Sequence, residues 1–199
     1  MGWDLDMTLV DSRPGIAATL RELARETTTP IDADLVVSRL GVTLEEELAE
    51  WFPPEQITAA ADRFRELYVD HGVPGTFLMP GAADAVDAVR DAGGRNIVVT
   101  AKYEPNAVAC LAQVGLAVDA VVGWRHGTAK GITLAEHGAA MYVGDTPSDI
   151  VGAHSAGVLA VAVASGPHPV TALRDAGADV ALESLVGFPD WLSSWRSRG

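Results

Sequence analysis

Two aspartates near the start of the chain, Asp4 and Asp6, have the type and spacing to act together, and Thr8 stands two residues further on. Where a β-strand turns into a loop, residues i and i+2 can direct both side chains into one cleft. Two carboxylates placed in this way suit a nucleophile beside a general acid, with a Mg²⁺ ion between them. The pattern is short enough to arise by chance, so its value depends on partners further along the chain.

Candidate partners follow downstream, namely Thr100, Lys130, Asp145 and Asp149. Thr100 ends a predicted strand, Lys130 opens a predicted helix, and the two aspartates flank a strand-to-helix junction. Each has an ordinary structural explanation as well, because strand-end threonines, solvated lysines and helix N-caps before proline are common. Their order along the chain, at the ends of successive strands, favours one shared site.

From residue 80 onward, short apolar runs alternate with helical patterns. Strands that are apolar throughout are typical of a parallel sheet covered on both faces. The sequence therefore predicts a doubly wound α/β fold, in which ligands bind at the carboxyl ends of the strands. The predicted strands are Asn96–Thr100, Val118–Val122, Ala140–Val143 and Val158–Val163, and the predicted helices are Ala83–Ala92, Pro105–Val114, Lys130–His137, Pro147–Ala156 and Val170–Ala176.

Residues 13–79 lack this alternation and predict a small helical subdomain without strands, inserted into an α/β core of residues 1–12 and 80–199. Its junctions carry Pro14-Gly15 and Pro80-Gly81, pairs typical either of ordinary loops or of a hinge. The four helices expected in this segment are marked by Ile16–Leu23, Asp32–Leu40, Thr43–Leu48 and Ile57–Leu67.

The composition limits the classes of partner. A chain of 199 residues with 48% hydrophobic residues is expected to be globular, and its net charge of -13 argues against binding nucleic acid or an anionic membrane. A small phosphorylated substrate needs only a local cationic pocket. The single cysteine, Cys110, lies in an apolar helical pattern and is interpreted as a buried structural thiol. One cysteine allows no disulfide within the chain, which fits a reducing cytosol. With no charged-then-apolar leader and no apolar run of membrane-spanning length, a soluble cytoplasmic protein is expected.

These residues resemble the haloacid dehalogenase superfamily of phosphohydrolases over essentially the whole chain. Asp4-Leu5-Asp6-Met7-Thr8 is similar to its first motif, Thr100 to its second, Lys130 to its third and Gly144–Asp149 to its acidic fourth. The helical insert is similar to the mobile cap of that family. The local sequences that resemble its phosphoglycolate phosphatase and β-phosphoglucomutase group are Leu9–Ser12, Met79–Gly81 and Val143–Asp145.

The resemblance implies a Mg²⁺-dependent phosphatase that hydrolyses a small phosphate monoester through an aspartyl-phosphate intermediate. In this interpretation Asp4 is the nucleophile and Asp6 the general acid and base. Thr100, Lys130 and main-chain N–H groups near Leu5 would hold the phosphoryl oxygens. The implied metal ligands are Asp4, Asp145, the main-chain carbonyl of Asp6 and a supporting Asp149. The expected partner is a small phosphorylated metabolite, and the chain is expected to be a monomer or homodimer.

A charge count accompanies this interpretation. Four ionised carboxylates, with one Mg²⁺ and Lys130 against them, leave one negative charge, which a proton on Asp6 would remove. Like-charged neighbours raise the pKa of a carboxyl group, which would help Asp6 to stay protonated.

Two departures from the family pattern stand out, and several alternatives remain open. Met7 replaces the usual glycine, and the first strand, which contains Gly2, is expected to be unusually short. A dehalogenase would lack Asp6, whereas a sugar phosphomutase would use the same residues. A phospho-accepting receiver domain would lack the helical insert and the second aspartate. The substrate is expected to be set by residues around Arg39–Glu46, with His126 as a possible contact. Trp191 and Trp195 are interpreted as packing residues.

Overall fold

The computed structural model describes residues 1–198, in which six parallel strands form one sheet with helices on both faces. The strands are β1 (Gly2–Trp3), β2 (Val10–Asp11), β3 (Phe77–Leu78), β4 (Ile97–Val99), β5 (Ala120–Val122), β6 (Met141–Gly144), β7 (Leu159–Val163) and β8 (Val180–Leu182). The helices are α1 (Arg13–Thr27), α2 (Ala33–Ser38), α3 (Leu44–Leu48), α4 (Pro54–Leu67), α5 (Ala82–Asp91), α6 (Glu104–Gln113), α7 (Thr128–Glu136), α8 (Pro147–Ser155), α9 (Val170–Asp175) and α10 (Phe188–Arg196). The strand order is β5-β4-β1-β6-β7-β8, so the predicted doubly wound α/β fold is confirmed.

Strand β1 lies in the middle of the sheet although it has only two residues. It pairs in parallel with β4, where Gly2 lies opposite Ile97, and with β6, where Gly2 lies opposite Tyr142. Glycine is a poor strand former, but a Cβ atom at this position would overlap the side chain of Leu134 on α7. The close approach of this helix to the sheet therefore requires glycine at position 2.

Apolar side chains pack on both faces of the sheet. On the face covered by α5, α6 and α10, Trp3 packs against Phe188 in a tilted arrangement with ring centroids 5.0 Å apart. The indole Nε1 of Trp3 donates a hydrogen bond to Oδ1 of Asn96 at 2.8 Å. The other face is covered by α7, α8 and α9, which contribute Leu134 and Leu173 among others. Burial on both faces explains why these strands are apolar throughout.

At the end of the chain's α/β core, the sequence pattern does not predict strand β8 or helix α10. β8 is a half-buried edge strand of three residues, too short to give a clear periodic signal. In α10, Trp191 packs on Phe188 with ring centroids 5.4 Å apart, as expected for a packing residue. Trp195 is 41% exposed and stacks on Trp191, so its predicted role in packing holds only in part.

Helices α1 to α4 share a hydrophobic core that is separate from the two on the sheet. All four helices expected in this segment are present. α4 continues into a π-helical turn at Tyr68–Gly72 and a 3₁₀ turn at Val73–Gly75. The fully buried residues of this core include Leu20, Leu23, Leu48, Ala61 and Tyr68. We refer to residues 13–75 as the helical segment.

The prediction that residues 13–79 contain no strand is wrong. β3 pairs antiparallel with β2, so the two connections between the helical segment and the sheet run side by side. Gly15 lies in the first turn of α1, where a Cβ atom would overlap the carbonyl oxygen of Gly72. Gly81 precedes α5 with a φ of 81°, and a Cβ atom there would overlap the backbone of Val186. Close packing is a sufficient explanation for both glycines.

Candidate active site

The side chains singled out from the sequence converge at the carboxyl edge of the sheet. Asp4 follows β1, Thr100 follows β4 and Asp145 follows β6, and these three strands are neighbours in the sheet. Lys130 and Asp149 lie in the first turns of α7 and α8, which begin at the same edge. This edge is where doubly wound folds bind their ligands.

Lys130 joins two of the aspartates. Its Nζ lies 2.8 Å from Oδ1 of Asp4 and 2.6 Å from Oδ1 of Asp149, and all three residues are buried. Burial alone would lower the pKa of Lys130, but the two carboxylates raise it, so the ammonium stays charged. Burial would likewise raise the pKa of Asp149, but Lys130 and hydrogen bonds from Thr146 hold it below its ordinary value.

Asp145 lies beside this ion-paired group. Its Oδ1 accepts a hydrogen bond from Oγ1 of Thr8 at 3.0 Å. The neighbouring Thr146 is the N-cap of α8, and Oδ2 of Asp149 accepts from the backbone N–H of Thr146 at 3.0 Å to complete a capping box. The helix-cap explanation therefore applies to Thr146 and Asp149 and leaves the Asp145 carboxylate without a capping role.

Asp4, Asp145 and Asp149 have the properties of a divalent metal site. One carboxylate oxygen from each of the three lies within 4.8 Å of the other two. Burial raises the pKa of Asp4 to about 7, although Lys130 opposes this effect. Burial and the neighbouring Asp149 charge raise the pKa of Asp145 well above its usual range. One ammonium does not balance three buried carboxylates, so a divalent cation would supply the missing charge.

The space around Asp145 and the chemistry of the donors fit Mg²⁺. A Cβ atom at Gly166 would overlap Oδ2 of Asp145, so the absence of a side chain at position 166 leaves space for this carboxylate. The donors are all oxygens, and hard cations such as Mg²⁺ prefer oxygen ligands.

Asp6 has a different partner, which the sequence analysis missed. Its Oδ1 lies 2.9 Å from Nζ of Lys102, a residue that follows β4 two positions after Thr100. Burial alone would lower the pKa of Lys102, but Asp6 and Tyr68 raise it, so this ammonium is also charged. Lys102 adds a positive charge to this edge of the sheet. With it, two lysines and a divalent cation balance the four carboxylates before any proton is placed on Asp6.

A simple signal for Lys102 was present in the composition. The chain contains only two lysines, Lys102 and Lys130. Arginine supplies all the other cationic side chains, several of them in exposed ion pairs on the surface. Lysine is therefore confined to this edge of the sheet, where a compact ammonium can approach several oxygens at once.

The loop after β1 is tightly folded. The carbonyl oxygen of Leu5 accepts hydrogen bonds from the backbone N–H groups of Leu9 and Val10 at 2.9 and 3.0 Å. Met7 has a φ of 61°, in the left-handed region that glycine adopts most readily, and its side chain is buried. Its carbonyl oxygen accepts a hydrogen bond from Oγ of Ser165 at 2.6 Å. The loop thus has a glycine-like conformation despite the larger residue, at a strain cost of about 1–2 kcal/mol.

A cavity of about 400 Å³ lies between this edge and the helical segment. Thr100 is buried in its wall, and Oγ1 of Thr100 accepts a hydrogen bond from the backbone N–H of Lys102 at 3.2 Å. His126 also lines the cavity, and its Nε2 lies 3.2 Å from the carbonyl oxygen of Gly41 and 3.1 Å from Oγ of Ser148. This histidine therefore contacts both the helical segment and α8.

Of the residues expected to set the substrate, 40–45 line the cavity. Arg39 instead forms ion pairs with Glu47 and Glu50 at 2.7 and 2.6 Å. Glu46 accepts a hydrogen bond from the backbone N–H of Thr43 at 2.8 Å and caps α3.

Comparison with known proteins assigns the family. The family model of haloacid dehalogenase-like hydrolases matches residues 2–163. A phosphoglycolate phosphatase from Caulobacter vibrioides is 30% identical over 212 residues, which cover 95% of this chain and 88% of the relative. A phosphoglycolate phosphatase from Rhodospirillum rubrum is also 30% identical, with 96% of this chain and 89% of the relative covered. The chain therefore belongs to the haloacid dehalogenase-like hydrolase family, and it is an enzyme of the phosphatase group within that family.

Solved structures agree with this fold. A haloacid dehalogenase-like family hydrolase from Streptococcus pneumoniae superposes with a TM-score of 0.82 at 23% identity, covering 98% of this chain and 96% of that chain. A predicted phosphatase from Clostridium acetobutylicum gives a TM-score of 0.84 at 22% identity, covering 97% of each chain. Within residues 1–198, no helix has the length and apolar character needed to cross a membrane.

Proposed function

We propose that this enzyme is a Mg²⁺-dependent phosphatase that hydrolyses a small phosphate monoester through an aspartyl-phosphate on Asp4. The observation that carries the proposal is the convergence of Asp4, Asp145 and Asp149 around Lys130, with carboxylate oxygens within 4.8 Å. When bound by the three carboxylates and the main-chain carbonyl of Asp6, Mg²⁺ would supply positive charge that stabilises the transferring phosphoryl group.

The chain's own residues would carry out two steps. An oxygen of Asp4 attacks phosphorus, the ester P–O bond breaks, and Asp6 gives the leaving oxygen a proton that enters the site with the substrate. Asp6 then takes a proton from water as the water oxygen attacks phosphorus, and the bond between Asp4 and phosphorus breaks. Lys130, Thr100 and main-chain N–H groups near Leu5 would hold the phosphoryl oxygens as charge develops.

The pairing of Lys102 with Asp6 fits the role of Asp6 as a base in the second step. The contact is with Oδ1 of Asp6, and we propose that Oδ2 carries the transferred proton. Lys102 would then act as a positioning residue, since it orients the Asp6 carboxylate without touching the reacting atoms.

We further propose that residues 13–79 form a cap over the site, with residues 1–12 and 80–199 as the core. Tyr68 lies with its ring 4.2 Å from Nζ of Lys102, and Gly41 contacts His126 on the core. Such a cap would exclude water and large substrates. A phosphomutase of the same family would use the same residues but would need polar groups to hold a sugar acceptor. The largely apolar wall of the cavity favours water as the acceptor.

The Asp4→Asn variant tests the nucleophile. An amide cannot attack phosphorus, so turnover of acetyl phosphate should fall at least about a thousandfold while the fold is kept. Borohydride reduction of the wild-type enzyme during turnover should convert residue 4 to homoserine, which peptide mass spectrometry identifies. Residual activity above that level, together with an unlabelled residue 4, would exclude Asp4 as the nucleophile.

A further inference from the structure

The cavity beside the candidate site has two chemically different walls. The core side carries the carboxylates and lysines described above. The side formed by the helical segment is apolar along most of its length. Its apolar side chains include Ile16, Leu20, Val36, Leu40, Leu44 and Phe64. A phosphoryl group held among the core charges would therefore direct its leaving group toward an apolar surface.

The charged groups near this apolar wall already have partners. Arg65 pairs with Glu45 and, at 2.8 Å, with Asp62. The two lysines of the lining pair with aspartates of the core. The cavity lining lies wholly within residues 1–198. Each lysine and arginine in this lining has a carboxylate partner. A leaving group with its own carboxylate would meet the like charge of Glu45 without a free lysine or arginine to pair with it, which is unfavourable.

An unusual tryptophan stands at the edge of the same cavity. Trp124 has a φ of 54°, a left-handed conformation that is strained for a bulky residue, and it is 59% exposed. Its backbone is held by a hydrogen bond from its N–H to the carbonyl oxygen of Lys102 at 3.0 Å. Its ring lies 5.4 Å from that of Tyr103 and 5.5 Å from the guanidinium carbon of Arg65. Strained residues of this kind cluster at ligand-binding sites.

We propose that the site takes a phosphate monoester of an uncharged aromatic alcohol, with Trp124 and Phe64 as the surface that selects the ring. This inference rests on the proposed function of the same site. The cavity volume of about 400 Å³ lies in the range that holds ligands with a ring-sized body. An aromatic ring placed between Trp124 and the apolar wall gains burial and offset stacking, whereas a glycolate group gains neither.

The test compares kcat/KM for 2-phenylethyl phosphate, ethyl phosphate and 2-phosphoglycolate at saturating Mg²⁺, with acetyl phosphate as a probe of the reacting centre. The first two esters have similar alkoxide leaving groups, so their ratio reports on recognition of the ring. We expect 2-phenylethyl phosphate to exceed each of the other two esters by about ten- to a hundredfold. In Trp124→Ala, the ratio of 2-phenylethyl to ethyl phosphate should fall about tenfold. Trp195→Ala, which removes an exposed tryptophan of α10, should keep the wild-type ratio.

The possible failures are distinguishable. If 2-phosphoglycolate equals or exceeds 2-phenylethyl phosphate, or if the ring gives no advantage over ethyl, the aromatic assignment is overturned and the phosphatase proposal stands. If the ring preference is present but unchanged in Trp124→Ala, the role of Trp124 is overturned. If none of the four compounds, acetyl phosphate included, is hydrolysed, the proposed function itself fails and the inference fails with it.

Discussion

The ammonium of Lys102 lies 2.9 Å from Oδ1 of Asp6 and 4.2 Å from the ring centroid of Tyr68. One side chain thus contacts the loop after β1, on which the candidate acid lies, and the helical segment that covers the cavity. Burial lowers the pKa of Lys102, and Asp6 and Tyr68 together outweigh this effect and stabilise its charged form.

Removing this ammonium should slow the proton transfers at Asp6. Lys102→Met should lower kcat by about ten- to a hundredfold with a smaller change in KM, because general acid–base catalysis supplies a factor of this order or more. Lys102→Arg should recover part of the loss, since it restores the charge with a different shape. Steady-state kinetics with acetyl phosphate provides the measurement, and Arg90→Met removes a surface cation as the control. An unchanged kcat in Lys102→Met would show that Asp6 does not depend on Lys102.

Mg²⁺ should stabilise the protein as well as activate it. Three buried carboxylates face a single ammonium, so a divalent cation that binds the folded state should raise Tm. Chelation should abolish phosphatase activity, Mg²⁺ should restore it, and Ca²⁺, which takes more ligands at longer distances, should substitute poorly. Asp145→Asn should remove most of the Mg²⁺-induced increase in Tm, which thermal unfolding would measure.

Asp87→Asn is the matched control, since Asp87 forms an exposed ion pair with Arg90 away from the site. It should keep the full response to Mg²⁺. If Mg²⁺ raises the Tm of Asp145→Asn and Asp87→Asn by the same amount, the metal binds elsewhere.

The strands and helices from α5 to α9 could be predicted because their apolar runs are a strong local signal. The β2–β3 ribbon could not, since Val10 pairs with Leu78 far along the chain and each strand has only two residues. Lys102 was missed because its importance comes from its distance to Asp6, which no local pattern contains. Asp4, Thr100, Asp145, Lys130 and Asp149 could be found because each follows a strand or lies in a first helical turn. Asp6 could be found from its spacing of two residues from Asp4. The left-handed backbone of Trp124 had no sequence signal at all.

The space around Asp145 provides a test of the metal site that removes no charged group. Gly166→Ala would put a methyl group where Oδ2 of Asp145 now lies, so the carboxylate must move. We expect the concentration of Mg²⁺ needed for half-maximal activity to rise about tenfold or more, as for changes around metal ligands generally. Gly187→Ala, at a position with open space around it, should leave this concentration unchanged. Equal Mg²⁺ dependence in both variants would mean that Asp145 does not bind the ion.

At position 7, the usual order of stability of alanine and glycine variants should be reversed. Its φ of 61° suits glycine, and its side chain is only 2% exposed. Both variants lose a buried side chain, which costs about 2–5 kcal/mol for Met→Ala in protein cores. Met7→Ala keeps the left-handed strain, whereas Met7→Gly relieves about 1–2 kcal/mol of it, a gain partly offset by the greater freedom of glycine in the unfolded chain. Met7→Gly should therefore be the more stable of the two, although glycine is usually the less stable choice. Chemical denaturation in the presence of Mg²⁺ measures the difference in the free energy of unfolding. If Met7→Ala is at least as stable as Met7→Gly, the loop relaxes out of the left-handed conformation when the side chain is removed.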